Sequence, residues 1–252
     1  MSLLVERRGE IVLATLDRPH RHNALDLDLV ESFLELLEEL RTDPDARVLL
    51  ITGRGDRAFS AGADMRFMAD LDPKELARFL ARVRRLFKTL AGHRLPSIAL
   101  INGHAHGGGA EIACCCDLRI GCERASFRFP GVMYGMAVGS WHLATLVGLP
   151  KAKELLLTGR DLGAQASLDV GLLNQLTSSE SLEEVGRATA AEIAAHPPDA
   201  VQAIKALLDQ GIGTPLVQRF YRELYSNRER GAGATAQRAF QTFAKDRSSS
   251  TD

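Results

Sequence analysis

The stretch that decides the fold covers residues 96–120 and reads P-S-I-A-L-I-N-G-H-A-H-G-G-G-A-E-I-A-C-C-C-D-L-R-I. Residues 97–101 are a short apolar run behind a proline, which predicts a buried strand. Asn102-Gly103 is a turn dipeptide, so this strand should end in a loop. The residues after Gly107-Gly108-Gly109 contain no helix breaker. We therefore expect a helix to begin at the three glycines.

Glycines at the start of a helix have a chemical consequence. The first N–H groups of a helix lack a partner within it, and glycine lets a ligand approach the bare backbone. Such a place suits an oxyanion. Glu111 follows one turn into the predicted helix, close enough to exchange a proton with whatever the N–H groups hold. The structural alternative is that the glycines form only a turn and that the first-turn Glu complements the helix dipole.

The composition is that of an ordinary globular protein. The 252 residues are 45% hydrophobic and 25% charged, which suits one large domain or one domain with an appendage. A formal net charge of −1 argues against nucleic-acid binding, since proteins of that class usually carry a basic excess. No apolar run is long enough for a membrane span, and Glu6, Arg7 and Arg8 stand where a signal peptide needs its apolar core. We expect a cytoplasmic protein.

The cysteines and the paired histidines raise the question of a metal site. The four cysteines are Cys114, Cys115, Cys116 and Cys122, three of them adjacent in a predicted buried helix. This pattern fits neither a disulfide framework nor a C-x-x-C metal motif, so reduced packing residues are expected. The pair His104-x-His106 has a spacing found in metal sites, but no third ligand is evident in the sequence. No metal is expected.

A second loop rich in small residues follows another buried strand. Residues 48–52 form a continuous apolar run, typical of a strand covered on both faces, and residues 53–64 read G-R-G-D-R-A-F-S-A-G-A-D. Ligands bind at this end of the strands in open α/β sheets. Each of the two loops could therefore offer an N–H group to one oxygen. Such a pair of donors is what an enolate or a tetrahedral oxyanion needs.

Periodicity predicts the remaining elements. Residues 2–8 and 11–16 should form a hairpin, Asp26 should cap a helix, and residues 73–90 should form a second long helix. In the carboxy-terminal third, periodicity predicts one strand, at 172–176. It predicts helices at 151–158, 164–170, 181–195, 199–209, 215–228 and 235–244. Residues 248–252 are predicted to be disordered. An oligomeric face is suggested by the apolar residues Leu216, Phe220, Leu224, Phe240 and Phe243.

Several short motifs occur in a fixed order along nearly the whole chain. They are Arg18-Pro19 with Asn23-Ala24-Leu25, Phe59-Ser60-Ala61-Gly62-Ala63-Asp64, the run from Asn102 to Glu111 with Cys116-Asp117, Ala125-x-Phe127, Phe129-Pro130, Leu157-Thr158-Gly159-Arg160, and Ala166 with Gly171-Leu172. No single motif is decisive. In this order and at this spacing, the chain resembles the crotonase superfamily, the enoyl-CoA hydratase/isomerase family.

The resemblance implies a fold and a substrate class. The fold would be α/β, a spiral of repeated ββα units forming an acyl-CoA-binding core over residues 1–195. Residues 196–252 would form a helical region that packs across subunits, giving a homotrimer or a homohexamer. The family binds acyl-CoA thioesters, and coenzyme A is part of the substrate, so no separate cofactor is expected.

The resemblance also implies the site residues. The thioester oxygen would lie between the backbone N–H groups of Ala61 and Gly108, and Glu111 would act as acid and base. Arg21 is the candidate for a phosphate contact. The expected substrate- and CoA-binding residues are Arg21, Ala24, Ala61, Gly62, Ala63, Asp64, Gly107, Gly108, Gly131, Tyr134 and Gly139.

One departure from the family pattern bears on the reaction. Hydratases of the family have a second glutamate directly after a proline, whereas here Gly131 follows Pro130. Water addition to a 2-enoyl thioester requires that water be held and deprotonated while Cα receives a proton, and two carboxylates share those tasks. His142 or Tyr134 could replace the missing acid, or could only pack.

Three functions remain open from the sequence. The first is an acyl-CoA enzyme that uses Glu111 alone to shuttle a proton through a thioester enolate, as in double-bond isomerisation. The second is a 2-enoyl-CoA hydratase whose second acid/base comes from elsewhere in the pocket, against which Gly131 argues. The third is a CoA- or RNA-binding protein that has lost catalysis, against which Glu111 and both loops argue.

Overall fold

A computed structural model of the protein describes residues 2–233, 235–238 and 240–241. Its strands are β1 (Leu3–Arg8), β2 (Ile11–Leu16), β3 (Val48–Gly53), β4 (Ala58–Ser60), β5 (Ser97–Ile101), β6 (His104–His106), β7 (Leu118–Cys122), β8 (Ser126–Arg128), β9 (Asp161–Gly163) and β10 (Gln175–Thr177). Its helices are α1 (Leu27–Thr42), α2 (Met65–Ala69), α3 (Pro73–Ala91), α4 (Gly108–Cys115), α5 (Leu143–Val147), α6 (Leu149–Thr158), α7 (Ala164–Asp169), α8 (Leu182–Ala194), α9 (Pro198–Gly211) and α10 (Leu216–Glu229).

The chain alternates between two sheets. The larger sheet has the strand order β1-β2-β3-β5-β7-β10, and the smaller has the order β4-β6-β8-β9. Strands β3, β5 and β7 are parallel neighbours, and each is followed along the chain by a strand of the smaller sheet, β4, β6 or β8. Helical segments follow before the chain returns to the larger sheet. This path confirms the predicted spiral of ββα units.

The larger sheet is covered on both faces, as the continuous apolar strands predict. Successive side chains of a strand point to opposite faces. In β3, Leu49 and Ile51 belong to the main core, whereas Val48 and Leu50 belong to a second cluster that includes residues of α8. Gly186 lets α8 pack closely, because a Cβ there would overlap the side chain of Leu100.

One predicted strand is partly wrong. The strand expected at 172–176 is limited to β10, Gln175–Thr177, which pairs in parallel with β7. Leu172 and Leu173 are fully buried, but they lie in a turn where the Leu173 N–H donates to Ser167 O (2.9 Å). Their apolar character therefore reflects core packing and not a strand ladder. The short strands of the smaller sheet were not predicted.

The chain divides after Ala195 into two compact units. The first unit contains both sheets and helices α1 to α8, and the second contains α9 and α10. Helix α10 carries exposed apolar side chains, among them Leu216, Phe220 and Leu224, and Phe240 is exposed as well. That this unit mediates oligomerisation stays a prediction. The described residues within 235–244 are helical, whereas Phe243 and residues 248–252 lie outside the described part of the chain.

No helix within the described residues is both long and apolar enough to cross a membrane.

Candidate active site

The glycine loop opens into α4 as the sequence predicts. Gly107 adopts a positive φ of 49° and precedes the first residue of the helix, Gly108. The Gly107 N–H donates to Arg128 O (2.9 Å), which fixes the loop against the smaller sheet. A Cβ on Gly109 would overlap the carbonyl of Ser60, so glycine is required for this close approach of α4 to the second loop.

The second loop supplies a different amide from the one predicted. The Ala61 N–H donates to His22 O (2.9 Å), so it is not available to a ligand, and its assignment as an oxyanion donor is wrong. The amide two residues further on, at Ala63, has no acceptor among the described residues, and neither has the amide of Gly108. A Cβ built on Gly108 would lie 3.5 Å from Ala63 N. The structure therefore brings the free amides of Ala63 and Gly108 together.

Residues 22–25 hold the second loop in place. The Leu25 N–H donates to Gly62 O, and the Asp64 N–H donates back to Leu25 O, both at 2.8 Å. Ser60 Oγ donates to Asn23 O (2.8 Å), and Asn23 Nδ2 donates to Ala58 O (2.8 Å). These bonds account for the Asn-Ala-Leu motif: they occupy the polar groups around Ala63 and leave its own N–H unpaired.

Asp64 supports the site and does not face a ligand. Its buried carboxylate accepts hydrogen bonds from the Arg18 guanidinium (3.2 Å) and from the first N–H groups of α2. Burial raises the pKa of Asp64, but the Phe67 N–H and Arg18 outweigh burial and hold that pKa below its ordinary value. Arg18 also pairs with Asp26 (3.0 Å) and donates to Ala24 O (2.6 Å). Arg18 therefore fixes both segments that surround the free amide of Ala63.

Glu111 lies in the first turn of α4 and is 4% exposed. Its Oε2 accepts hydrogen bonds from His142 Nε2 (2.9 Å) and Trp141 Nε1 (3.2 Å). Its Oε1 is buried without a hydrogen-bond partner. A buried unpaired carboxylate oxygen is costly, so this atom is the one left free to act on a substrate.

An apolar cavity of about 440 Å³ is lined in part by Phe129 and Leu156, two side chains that lie, like Glu111 Oε1, within 3.5 Å of the Cβ position of Gly139. A Cβ on Gly139, whose φ is +80°, would lie 2.9 Å from both Glu111 Oε1 and Leu156 Cδ2, and 3.5 Å from Phe129 Cδ1. Phe129 and Leu156 also line the cavity, together with Val132, Gly135, Met136, Ala137, Val138, Ser140, Lys153 and Leu157. The Glu111 carboxylate therefore lies near side chains that line a space large enough for an acyl chain.

The position of the missing second glutamate has no room for a side chain. Gly131 is buried, and a Cβ built there would overlap Val138 Cγ2 and lie 3.0 Å from Met136 O. An aliphatic side chain thus occupies the space next to Gly131. Val138 had no signal in the sequence, because its contact with position 131 depends on how the segment after Pro130 folds.

The structure does not bring Tyr134 to the Glu111 carboxylate, and it leaves Arg21 exposed. Tyr134 is 53% exposed, and the partners of the Glu111 carboxylate within the described residues are Trp141 and His142, so Tyr134 is not brought to Glu111. Arg21 is exposed at the end of a 3-10 turn and has no hydrogen-bond partner for its side chain among the described residues. Ala24 is buried, and its N–H donates to Arg21 O (3.0 Å).

The histidine pair and the cysteines play structural parts. His104 Nδ1 lies 2.8 Å from Ser126 Oγ, and His106 Nε2 lies 3.3 Å from Asp161 Oδ1. Within the described residues, no group of three potential ligands is placed to hold a metal. All four cysteines are free and buried, which is the placement expected of packing residues, and burial raises the pKa of Cys114 to about 12.

A family model described as enoyl-CoA hydratase/isomerase matches residues 6–250. The chain belongs to this family. It is an acyl-CoA-processing enzyme of the enoyl-CoA hydratase/isomerase family, with the crotonase fold that the motifs predict.

Relatives of this family member carry different reaction names. A crotonyl-CoA hydratase of Syntrophomonas wolfei is 33% identical, with 85% of this chain and 84% of that protein covered. The crystal structure of an enoyl-CoA hydratase from Bacillus anthracis has a TM-score of 0.93 at 29% identity, covering 98% and 97% of the two chains. A monofunctional enoyl CoA isomerase from M. smegmatis has a TM-score of 0.75 at 30% identity, covering 86% and 97%. Membership of this family is therefore compatible with either hydration or isomerisation.

Proposed function

We propose that this enzyme moves a proton on an acyl-CoA thioester through an enolate, with double-bond isomerisation as its reaction and Glu111 as the single acid/base. The observation that carries the proposal is at Gly131, where the residue has no carboxylate and Val138 Cγ2 occupies the space that the Cβ of a second glutamate would need. Among the described residues, Glu111 is therefore the carboxylate that we assign to the reacting carbon. One carboxylate suffices to remove a proton and return it, whereas hydration needs a second group for the water.

The chemistry follows from three groups. The thioester oxygen of a 3-enoyl-CoA lies between the amides of Ala63 and Gly108. Glu111 Oε1 removes a proton from Cα, and the C–H electron pair moves into the enolate, whose negative charge the two amides stabilise. The same proton returns to the γ carbon while the double bond forms between Cα and Cβ. Glu111 ends as the carboxylate it was at the start.

Further proposals concern the substrate and the assembly. The unpaired side chain of Arg21 supports a contact with a phosphate of coenzyme A, and no separate cofactor is required. The exposed apolar residues of α10 support a homotrimer or a homohexamer. The acyl pocket is the cavity beside Phe129 and Leu156. The cytoplasmic location and the lack of a nucleic-acid partner stay predictions.

A comparison of two substrates tests the reaction. With 3-hexenoyl-CoA, the conjugated 2-enoyl thioester should accumulate, measured by its absorbance and by mass spectrometry without a mass change. With crotonyl-CoA, the gain of one water should be at least about 100-fold slower, the usual contribution of one acid/base group. If hydration matched or exceeded isomerisation in kcat/KM, the proposal would fail.

Hydration is the second candidate, because one observation favours it. His142 Nε2 lies 2.9 Å from Glu111 Oε2, so a titratable group does stand beside the catalytic carboxylate. It bonds directly to Glu111 Oε2, however, so a water activated between the two side chains would have to displace this hydrogen bond. Isomerisation therefore remains the better supported reaction.

A further inference from the structure

The two oxygens of the Glu111 carboxylate have unequal surroundings. Oε2 accepts from both His142 Nε2 and Trp141 Nε1, whereas Oε1 is buried without a partner. A carboxylate can only accept at these contacts, so the Nε2 atom of His142 carries the hydrogen. Two donors on one oxygen fix the rotation of the carboxylate about its last bond. They thereby determine which oxygen meets the substrate.

We propose that His142 is a positioning residue for Glu111: its Nε2–H holds Oε2 so that Oε1 stays aimed at the substrate carbon, and Trp141 Nε1–H assists it. This inference rests on the proposed enolate chemistry and extends it to a second residue. His142 does not lose its proton in the reaction. After Oε1 takes the proton from carbon, Oε2 still accepts from His142, so the contact persists through the cycle.

The imidazole is itself held in place. His142 is 8% exposed, and its ring packs against that of Trp141 with centroids 4.3 Å apart and an interplanar angle of 60°. Its carbonyl accepts from Thr145 Oγ1 (2.6 Å) and from the Thr145 N–H (3.0 Å) at the start of α5. The other ring nitrogen, Nδ1, is buried without a hydrogen-bond partner among the described residues, so ring packing and the backbone, and not a second ring hydrogen bond, hold the imidazole.

The backbone next to Oε1 completes the arrangement. Gly139 places no side chain beside this oxygen, and its φ of +80° is one that residues with a side chain rarely adopt. Residues 139–142 thus leave one oxygen of Glu111 bare and supply donors to the other. The segment that lacks the second glutamate carries instead the groups that orient the first.

The test measures carbon acidity directly, without knowledge of the natural acyl group. Butanoyl-CoA in D2O exchanges its Cα protons when an enolate forms, which NMR and mass spectrometry detect, and calorimetry gives its Kd. The variants are His142→Phe, which removes the donor, and His142→Gln, whose amide N–H can reach the same oxygen. His196→Phe, at an exposed histidine of the second unit, is the matched control.

Each variant has its own expected rate of deuterium exchange. His142→Phe should slow exchange about 100-fold, the effect of misplacing a reacting group by an ångström. Its Kd should stay within about twofold. His142→Gln should recover most of the rate, Trp141→Phe should lose part of it, and His196→Phe should match the wild type. Circular dichroism verifies folding, and the Gln and Trp141 variants decide the question if His142→Phe does not fold.

Different results would overturn the enolate chemistry and the positioning role of His142. A wild type that exchanges no deuterium would overturn the enolate chemistry itself. Wild-type exchange together with an unchanged rate in His142→Phe would overturn only the positioning role. Equal loss in His142→Gln and His142→Phe would also overturn it, because the Nε2–H donor would then not be the feature that matters.

Discussion

Gly62 and Gly108 approach each other so closely that a Cβ on Gly62 would lie 2.7 Å from Gly108 N. One of the two oxyanion amides is therefore in contact with the backbone that presents the other. Any side chain at position 62 must push the two loops apart. The amides of Ala63 and Gly108 can lie side by side only because position 62 has no side chain.

Gly62→Ala should abolish most turnover. The Cβ separates the amides of Ala63 and Gly108, and loss of one oxyanion donor costs about 3 kcal/mol, or 10²- to 10³-fold in kcat. Gly55→Ala is the matched control, because Gly55 has nearly the same φ, +85° against +87°, but its Cβ would meet only Pro19, at 3.8 Å. Both variants bear the same backbone strain. Equal activities in the two would show that the amides of Ala63 and Gly108 do not act together.

Glu111→Gln should remove turnover and retain binding. The amide keeps the size of the carboxylate but cannot take a proton from carbon, so kcat should fall about 10²- to 10⁴-fold. The Kd for butanoyl-CoA, measured by calorimetry, should change little because the oxyanion amides are intact. Glu184→Gln on the exposed face of α8 is the control. Normal turnover in Glu111→Gln would remove Glu111 from the mechanism.

Gly131→Glu should not by itself create a hydratase. The new side chain must displace Val138, and such overpacking costs about 1–3 kcal/mol of the free energy of unfolding. Gly131→Glu with Val138→Ala removes the overlap with Val138 Cγ2 and should recover part of that stability. Urea unfolding and crotonyl-CoA hydration measure the two effects. Hydration that rises in the double variant and not in Gly131→Glu would identify Val138 as the residue that excludes the second carboxylate.

Local patterns predicted several elements well, whereas the spiral of ββα units was implied by the family resemblance. The apolar run of β5, the glycines before α4 and the two-sided strand β3 each reflect short-range patterns, and their boundaries agree with the structure within a residue or so. The strand expected at 172–176 failed because Leu172 and Leu173 are buried by tertiary packing from a turn. The three-residue strands of the smaller sheet carry too few residues for an alternation to be visible.

The site was predicted less completely, for a different reason. The sequence shows that residues 61–64 are small, but which amide is free depends on which one His22 O occupies. That pairing selects Ala63 over Ala61 and becomes visible only when residues 22–25 lie across the loop. Trp141 and His142 stand about thirty positions from Glu111, at no spacing that a helix or strand would relate.

The stability contributed by Asp64 should depend on pH. Its folded pKa is below its ordinary value of 3.8, so its ionised form stabilises the fold above that pH, and the contribution is lost as the pH falls through the folded pKa. Asp64→Asn should therefore cost about 1–3 kcal/mol near neutral pH and less near pH 3. Urea unfolding at both pH values measures this, with Asp56→Asn, at an exposed aspartate, as control. If the difference in unfolding free energy between the wild type and Asp64→Asn were the same at both pH values, the ion pair with Arg18 would be contradicted.

The apolar face of α10 should hold the oligomer together. Leu216, Phe220 and Leu224 recur every fourth residue and are exposed, and a row of this kind on one helix face is typical of a surface that another subunit covers. Phe220→Glu with Leu224→Glu should reduce the mass measured by light scattering from that of a trimer or hexamer to that of a monomer. Gln218→Glu adds a charge at an exposed position on the opposite side of α10 and should leave the mass unchanged. A double variant that keeps the wild-type mass would place the interface elsewhere, because two buried carboxylates without partners are not tolerated in such a contact.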